Sequence, residues 1–301
     1  MKRILVIRLG ALGDFVMSFG PFAAVRAHHP GAEITLLTTA PFARLAAAAP
    51  WFDRVEIDER PAWWNLGGLL RLRRRLAGFD IVYDLQTSGR SSAYFLLAGR
   101  PRWSGTAPGC SHPQAGPERR RMHTIERQRD QLRLAGITEF PAPDLSFLVN
   151  RPVPALPDRF ALLVPGASAH RPGKRWPAAE YGALAAILAG RGIAPVVIGG
   201  PDEAAIASQI VAACPAALDL TGQTALLDIF AIAARAAFVV GNDTGPTHIA
   251  TAAGCPAVVL FSADSDPAMT APRGPGGSWP TVIRVPVLAE LSVERVAAAL
   301  P

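Results

Sequence analysis

The chain has 301 residues, half of them hydrophobic and 18% charged, which excludes a disordered or collagen-like polymer and allows one large or two medium domains. No apolar stretch approaches the ~20 residues of a membrane-spanning helix, and Arg8 and Gly13-Asp14 interrupt the opening apolar run too early for a signal-peptide core. A soluble, cytoplasmic chain is expected. The net charge of +6 is uneven: residues 1–150 hold 20 basic and 13 acidic side chains (+7), residues 151–301 hold 10 and 11 (−1).

Ile4-Leu5-Val6-Ile7 reads as a strand, Arg8 to Asp14 as a glycine loop, and the segment from there to about His28 as a helix. Glu33 to Thr38 and Ile81 to Leu85 read as further strands, separated by a basic helix around Leu69 to Leu76. Residues 99 to 123, rich in Gly, Pro, Ser and Arg, read as a long loop. Prolines at 152, 154 and 157 cannot continue a helix or central strand, so residues 151 to 157 are the expected linker. Beyond it the rhythm restarts, with strands at Phe160 to Val164, Val196 to Ile198, Phe238 to Val240 and Ala257 to Phe261. Helices are expected at 177–189, 204–213, 226–234 and 246–253, with a short last one near 292–300. Strands alternating with helices predict an α/β chain with two doubly wound parallel sheets, divided as 1–150 and 151–301. Ligands in such folds bind at the strand carboxyl ends.

Three segments carry chemistry. In Arg8-Leu9-Gly10-Ala11-Leu12-Gly13-Asp14 the glycines Gly10 and Gly13 let the backbone approach a ligand. Asp14 reads either as the cap of the following helix or as a carboxylate free to take a proton. Neither G-x-G-x-x-G nor a P-loop is present, which argues against an NAD(P) oxidoreductase and a P-loop nucleotidase.

The second segment runs from Val164 through Ser168 to Lys174-Arg175-Trp176-Pro177. Lys2 and Lys174 are the chain's two lysines among 30 basic residues. A compact ammonium at 174 suits a phosphate or diphosphate; the alternative is a basic surface loop with Trp176 packed beneath it. The third is Gly241-Asn242-Asp243-Thr244-Gly245-Pro246-Thr247-His248, a strand entering a proline-started helix. Its first amides, the Thr244 hydroxyl and the helix dipole make an anion site, while His248 taken alone reads more often as a packed helix residue. A single Asp-Thr-Gly on an α/β pattern does not make an aspartic protease. The three cysteines, Cys110, Cys214 and Cys255, lack metal-ligand spacing, so neither a disulfide framework nor a metal site is expected. No base-reading motif accompanies the basic half, and nucleic acid is not expected as a partner.

Together these segments resemble glycosyltransferase family 9, which includes the bacterial lipopolysaccharide heptosyltransferases. The resemblance runs through ILVIRLGALGD, YDLQTSGRSS, ALLVPGAS, KRWP, VIGGPDE, DLTGQTAL and VVGNDTGPTHIATAAG to VVLFSADSDP. In the last of these, Ser262 to Pro267 stands where the family more usually has Gly-Pro-Thr-Asp-Pro. The resemblance implies a GT-B fold, two Rossmann-like domains facing a central cleft, with the acceptor on the first and the nucleotide sugar on the second. The last helix is a candidate to pack back on the first domain. It implies an inverting, metal-independent transfer with no cofactor, from an ADP-heptose or related donor to an anionic glycolipid acceptor at the inner membrane surface. A non-catalytic nucleotide-sugar-binding relative, or a transferase using another sugar nucleotide, is the alternative. Carried over by motif, Asp14 is the candidate base and Lys174 the diphosphate-binding cation. Ser168, Asp243, Thr244, Gly245 and His248 are candidate donor contacts, and Gly10 and Gly13 form the acceptor or phosphate loop.

Overall fold

In the computed structural model, which describes residues 1–168 and 170–301, the apolar runs become the centres of two parallel sheets. The first sheet contains β1 (Arg3–Ile7), β2 (Glu33–Thr38), β3 (Arg54–Ile57), β4 (Ile81–Asp84), β5 (Trp103–Gly105) and β6 (His112–Pro113), ordered β3-β2-β1-β4-β5-β6. The second contains β7 (Phe160–Val164), β8 (Ala194–Val197), β9 (Leu218–Asp219), β10 (Phe238–Asn242), β11 (Ala257–Phe261) and β12 (Thr281–Arg284), ordered β12-β11-β10-β7-β8-β9. Numbered within its own unit, each sheet runs 3-2-1-4-5-6, the doubly wound order that reverses beside its first strand. The switch points are therefore β1/β4 and β7/β10. At the first, Val6 pairs with Leu36 on one side and Tyr83 on the other; at the second, Leu163 pairs with Val240.

Central strands of parallel sheets are covered on both faces, so they read as unbroken apolar runs rather than alternations. Leu5, Ile7, Val82 and Trp103 pack with Leu72 and Leu76 of helix Leu66–Leu76 and with Tyr94 and Phe95 of helix Gly89–Leu97. In the second unit, Leu163, Val240 and Leu260 share a core with Trp176, Tyr181 and Leu184.

The compact units are Met1–Pro143 and Asp144–Pro301, so the proline run at 151–157 lies inside the second unit as irregular chain. The closing helix, Val293–Ala297, buries Val296 in the second unit's core. Residues 99–123 are not one loop: β5, β6 and the 3-10 turn Pro117–Arg121 occupy them. Strands of three and two residues are too short to show a period in sequence. The expected first helix is two, Leu12–Val16 and Phe19–His28, separated near Ser18, whose hydroxyl donates to the Asp14 carbonyl at 2.8 Å. Among the described residues no helix is long and apolar enough to cross a membrane.

Candidate active site

At the first switch point the chain leaves β1 through Arg8, Leu9 and Gly10. Gly10 has φ +132°, a backbone state that L side chains rarely adopt, and a β-carbon there would lie 3.1 Å from the Phe42 ring. The loop is held from several sides. The Leu9 amide donates to Gln86 Oε1 at 2.8 Å, and the Leu9 carbonyl accepts from Thr39 Oγ1 at 3.1 Å and Arg60 Nη2 at 3.0 Å. Gly13 lies in the first turn of helix Leu12–Val16, its carbonyl accepting from the Met17 amide.

Asp14 caps nothing: the cap position of its helix is Ala11, and no side chain bonds there. Its carboxylate instead faces the buried Arg8 guanidinium at 3.4 Å and remains over a third exposed. Arg8 is pinned by donation from Nη1 to the Leu85 carbonyl at 2.6 Å. Burial pulls the Arg8 pKa down from its ordinary value, an effect that Asp14 opposes. Beneath them, Asp84 is fully buried and its carboxyl rises to about 6, because desolvation outweighs the hydrogen bonds from Thr87, Ser91 and Gln86 and the charge of Arg8. A reachable carboxylate thus sits at the carboxyl edge of the first sheet, with the charge of Arg127 acting on Arg8 and Asp14 and that of Arg119 on Asp84.

At the second switch point a pocket of about 250 Å³ opens over the ends of β7, β8 and β10. Its wall includes Gly166, Ser168, Arg175, Gly199, Glu203 and Thr244. Helix Gly245–Ala252 begins there with Thr244 at its cap position and Pro246 in its first turn. The Thr244 side chain makes no cap bond, and first-turn amides of a helix have no partner within it, so positive partial charge faces the pocket rim. Arg175 is braced by donation from Nη2 to the Ala167 carbonyl at 2.7 Å.

Lys174, Asp243 and His248 stand outside that wall. Lys174 is buried, and its ammonium meets Asp243 Oδ2 at 2.5 Å; His248 Nε2 lies 3.4 Å from Asp243 Oδ1. Burial alone would raise the Asp243 carboxyl, but His248 and Lys174 together overcome it and hold it at about 2. His248 Nδ1 is buried with no hydrogen-bond partner among the described residues. The trio rests on Asn242, whose side chain donates to the Pro165 carbonyl at 2.8 Å and accepts from the Trp176 amide at 3.2 Å. Trp176 is itself buried, with its indole N–H donating to the Leu291 carbonyl. These bonds fix the Lys174 turn against the Asp243 loop.

Ser168 and Thr244 therefore meet at one pocket, with Arg175 beside them, and Lys174, Asp243 and His248 form a separate buried cluster joined to the pocket wall through Asn242, which donates to the Pro165 and Gly166 carbonyls. Sequence reasoning assigned no role to Glu203, although it faces the pocket and closes a small loop by accepting from the Gly200 amide at 2.8 Å. Its signal was a strand running into Gly-Gly-Pro-Asp-Glu. The divergent stretch Ser262 to Pro267 also finds a place: a β-carbon on Gly173 would come within 2.6 Å of Asp264 Oδ2, so this loop packs on the turn that carries Lys174.

Two doubly wound parallel sheets, each with polar groups gathered at its switch point, define an α/β protein of the GT-B pattern. Residues 69–278 match the profile of glycosyltransferase family 9 (heptosyltransferase), and the chain belongs to that family; it is a glycosyltransferase. It is 24% identical to the lipopolysaccharide core heptosyltransferase OpsX of Haemophilus influenzae, over 90% of this chain and 82% of the relative. Among solved structures it resembles a family 9 glycosyltransferase from Veillonella parvula, with a TM-score of 0.81, 21% identity and coverage of 99% and 95% of the two chains. It is also similar to the E. coli heptosyltransferase WaaC with ADP, with a TM-score of 0.78, 20% identity and coverage of 98% of each chain.

Proposed function

We propose that the protein is an inverting, metal-independent glycosyltransferase. It moves a heptose or related sugar from an ADP-sugar to a lipopolysaccharide-core or similar anionic glycan at the inner face of the cytoplasmic membrane. The observation that carries this reading is the second-unit pocket, where Ser168, Arg175 and the first turn of helix Gly245–Ala252 converge over the strand ends. Hydroxyl, guanidinium and helix amides are the groups that hold a diphosphate. The similarity to an ADP-bound heptosyltransferase and to OpsX supports the choice of donor and acceptor.

In this reading Asp14 is the base. An acceptor hydroxyl oxygen attacks the anomeric carbon from the face opposite the diphosphate, its proton passes to Asp14, and the carbon–oxygen bond to the leaving phosphate breaks with its electron pair going to ADP. Charge growing on ADP is met by Arg175, the Thr244 and Gly245 amides, and Lys174. Lys174 has three N–H donors and spends one on Asp243. Preorganised donors of this kind contribute about 3 kcal/mol each to a transition state. Arg8 orients the Asp14 carboxylate from behind.

The test is transfer from ADP-heptose, read beside thermal shifts with ADP, GDP, UDP and dTDP. ADP should raise the melting temperature most. Asp14→Asn should lower transfer by about 10²- to 10⁴-fold while leaving the ADP shift in place. Wild-type turnover by that variant would remove Asp14 as the base, and a stronger shift with another nucleotide would replace the donor.

A further inference from the structure

The first unit carries an apolar surface that its core does not use. Pro61 to Leu76 forms a turn followed by helix Leu66–Leu76, capped by the Asn65 side chain, which accepts from the Gly68 amide at 2.9 Å. Gly68, Leu72 and Leu76 are buried and fasten one face of the helix to the unit. At 100° per residue, Leu66, Leu70, Arg73 and Arg74 fall on another face. On that face and the turn before it, Trp64 is 86% exposed, Leu66 72%, Leu70 58% and Trp63 47%. Four large apolar side chains in eight residues of surface are more than the scatter normal for a soluble protein.

The acidic side chains beside the patch are in ion pairs, while two of its arginines are not. Glu56 and Glu59 are engaged by Arg75, and Arg71 also reaches Glu59 at 3.8 Å. Arg73 and Arg74 are exposed and in no ion pair among the described residues. The platform is also stiff before anything docks. Arg90 stacks on the Trp63 ring at 5.0 Å and donates to the Pro61 carbonyl at 2.6 Å, and Tyr94, which Arg90 also binds, donates to Asp58.

The geometry points to this segment as an interfacial helix that seats the first unit on an anionic phospholipid bilayer. Trp64, Leu66 and Leu70 enter the headgroup boundary while Arg73 and Arg74 meet lipid phosphates. An amphipathic element with tryptophan and leucine on one flank and arginine beside them binds where apolar burial and electrostatic attraction add together. The excess charge of the N-terminal half, +7 from 20 basic and 13 acidic residues, has the same sign and reinforces it. A second copy of this chain fits the surface less well, because a two-fold contact through this patch would bring Arg73 and Arg74 of both copies together. The inference rests on the proposed acceptor only for its purpose, since bilayer binding is measured with no sugar or nucleotide present.

The full chain is sedimented with phosphatidylglycerol-rich vesicles and with phosphatidylcholine vesicles. The wild type should bind the anionic vesicles and lose them as salt rises. The triple variant Trp64→Ser, Leu66→Ser, Leu70→Ser should bind at least about tenfold more weakly. Arg73→Glu with Arg74→Glu should remove the preference for anionic lipid. Trp64 emission should shift to the blue on vesicles, in a comparison of the wild type with Trp64→Phe. All of these side chains are exposed, so melting temperatures should hold, and an unchanged ADP shift separates failure here from failure of the transferase reading. Equal partition of wild type and triple variant would overturn the inference. So would wild-type self-association that the triple variant abolishes without any change in vesicle binding, which would identify a second copy as the occupant.

Discussion

The two switch points share one strand order and treat charge in opposite ways. In the second unit, Asp243 is buried with Lys174 and His248 against it, and its carboxyl is held at about 2. In the first, Asp84 is buried, in no ion pair among the described residues, and rises to about 6, while Asp14 is paired with Arg8 yet open to solvent. Identical scaffolds thus give one site whose carboxylate is buried against Lys174 and one whose carboxylate remains open to solvent. The strand order decides where ligands meet the chain, and the side chains decide what happens there. An accessible carboxylate suits proton transfer.

The largest effect that would break this contrast is expected at Lys174. Replacing one partner of a buried ion pair strands the other, at a cost of about 3–5 kcal/mol. Lys174→Met should therefore lower the urea midpoint severely, whereas Lys174→Met with Asp243→Leu should recover most of the loss. A double-mutant cycle showing additive effects would mean that the 2.5 Å contact contributes nothing.

Acid titration sharpens the same contrast, with opposite signs in the two units. Asp84 has a native pKa above its unfolded value of about 4, so the native state holds the extra proton. Its contribution is most favourable below pH 4 and declines as pH rises to about 6. At about 1.4 kcal/mol per pKa unit the swing is on the order of 3 kcal/mol. Asp243 has a native pKa below its unfolded value, so its contribution is present above pH 4 and is lost as pH falls towards 2. Unfolding free energy measured against pH should lose its decline between pH 4 and 6 in Asp84→Asn. Its acid limb should become shallower in Asp243→Asn. A wild-type curve flat between pH 4 and 6, unchanged by Asp84→Asn, would show that Asp84 is solvated in the native state.

Much of this arrangement was legible in the sequence because it depends on local pattern. Ile4 to Ile7 of β1, β7 and Phe238 to Val240 of β10 are unbroken apolar runs that lead into loops with small or polar residues, which is how a strand buried on both faces enters a ligand loop. The scarcity of lysine marked Lys174, and the proline at 246 marked a helix start. What stayed hidden is long-range or short. The Lys174–Asp243 pair joins residues 69 apart, and no spacing rule connects them, so Lys174 read as a free cation. Arg8 behind Asp14 could not be seen because burial of an arginine leaves no periodic trace. β6 and β9, two residues each, are strands only because a neighbouring edge pairs with them.

The smallest expected effect separates two glycines that look alike in sequence, each just beyond a first strand. Gly10 needs glycine for its backbone: φ is +132°, and a β-carbon would also press on Phe42 at 3.1 Å. Gly10→Ala should cost about 1–3 kcal/mol, the range for a residue forced into a sparsely populated backbone region. Gly166 needs glycine for space, because a β-carbon would sit 2.8 Å from Glu203 Cγ and 2.9 Å from its Oε1. Glu203 is a flexible side chain at a pocket rim and can swing aside. Gly166→Ala should therefore cost under about 1 kcal/mol of stability but narrow the pocket and weaken the ADP thermal shift. Denaturation and nucleotide titration of both variants read the difference directly. If Gly166→Ala destabilised the fold more than Gly10→Ala, the second loop would be the strained one, and the contrast between an open first site and a fixed second site would have to be reversed.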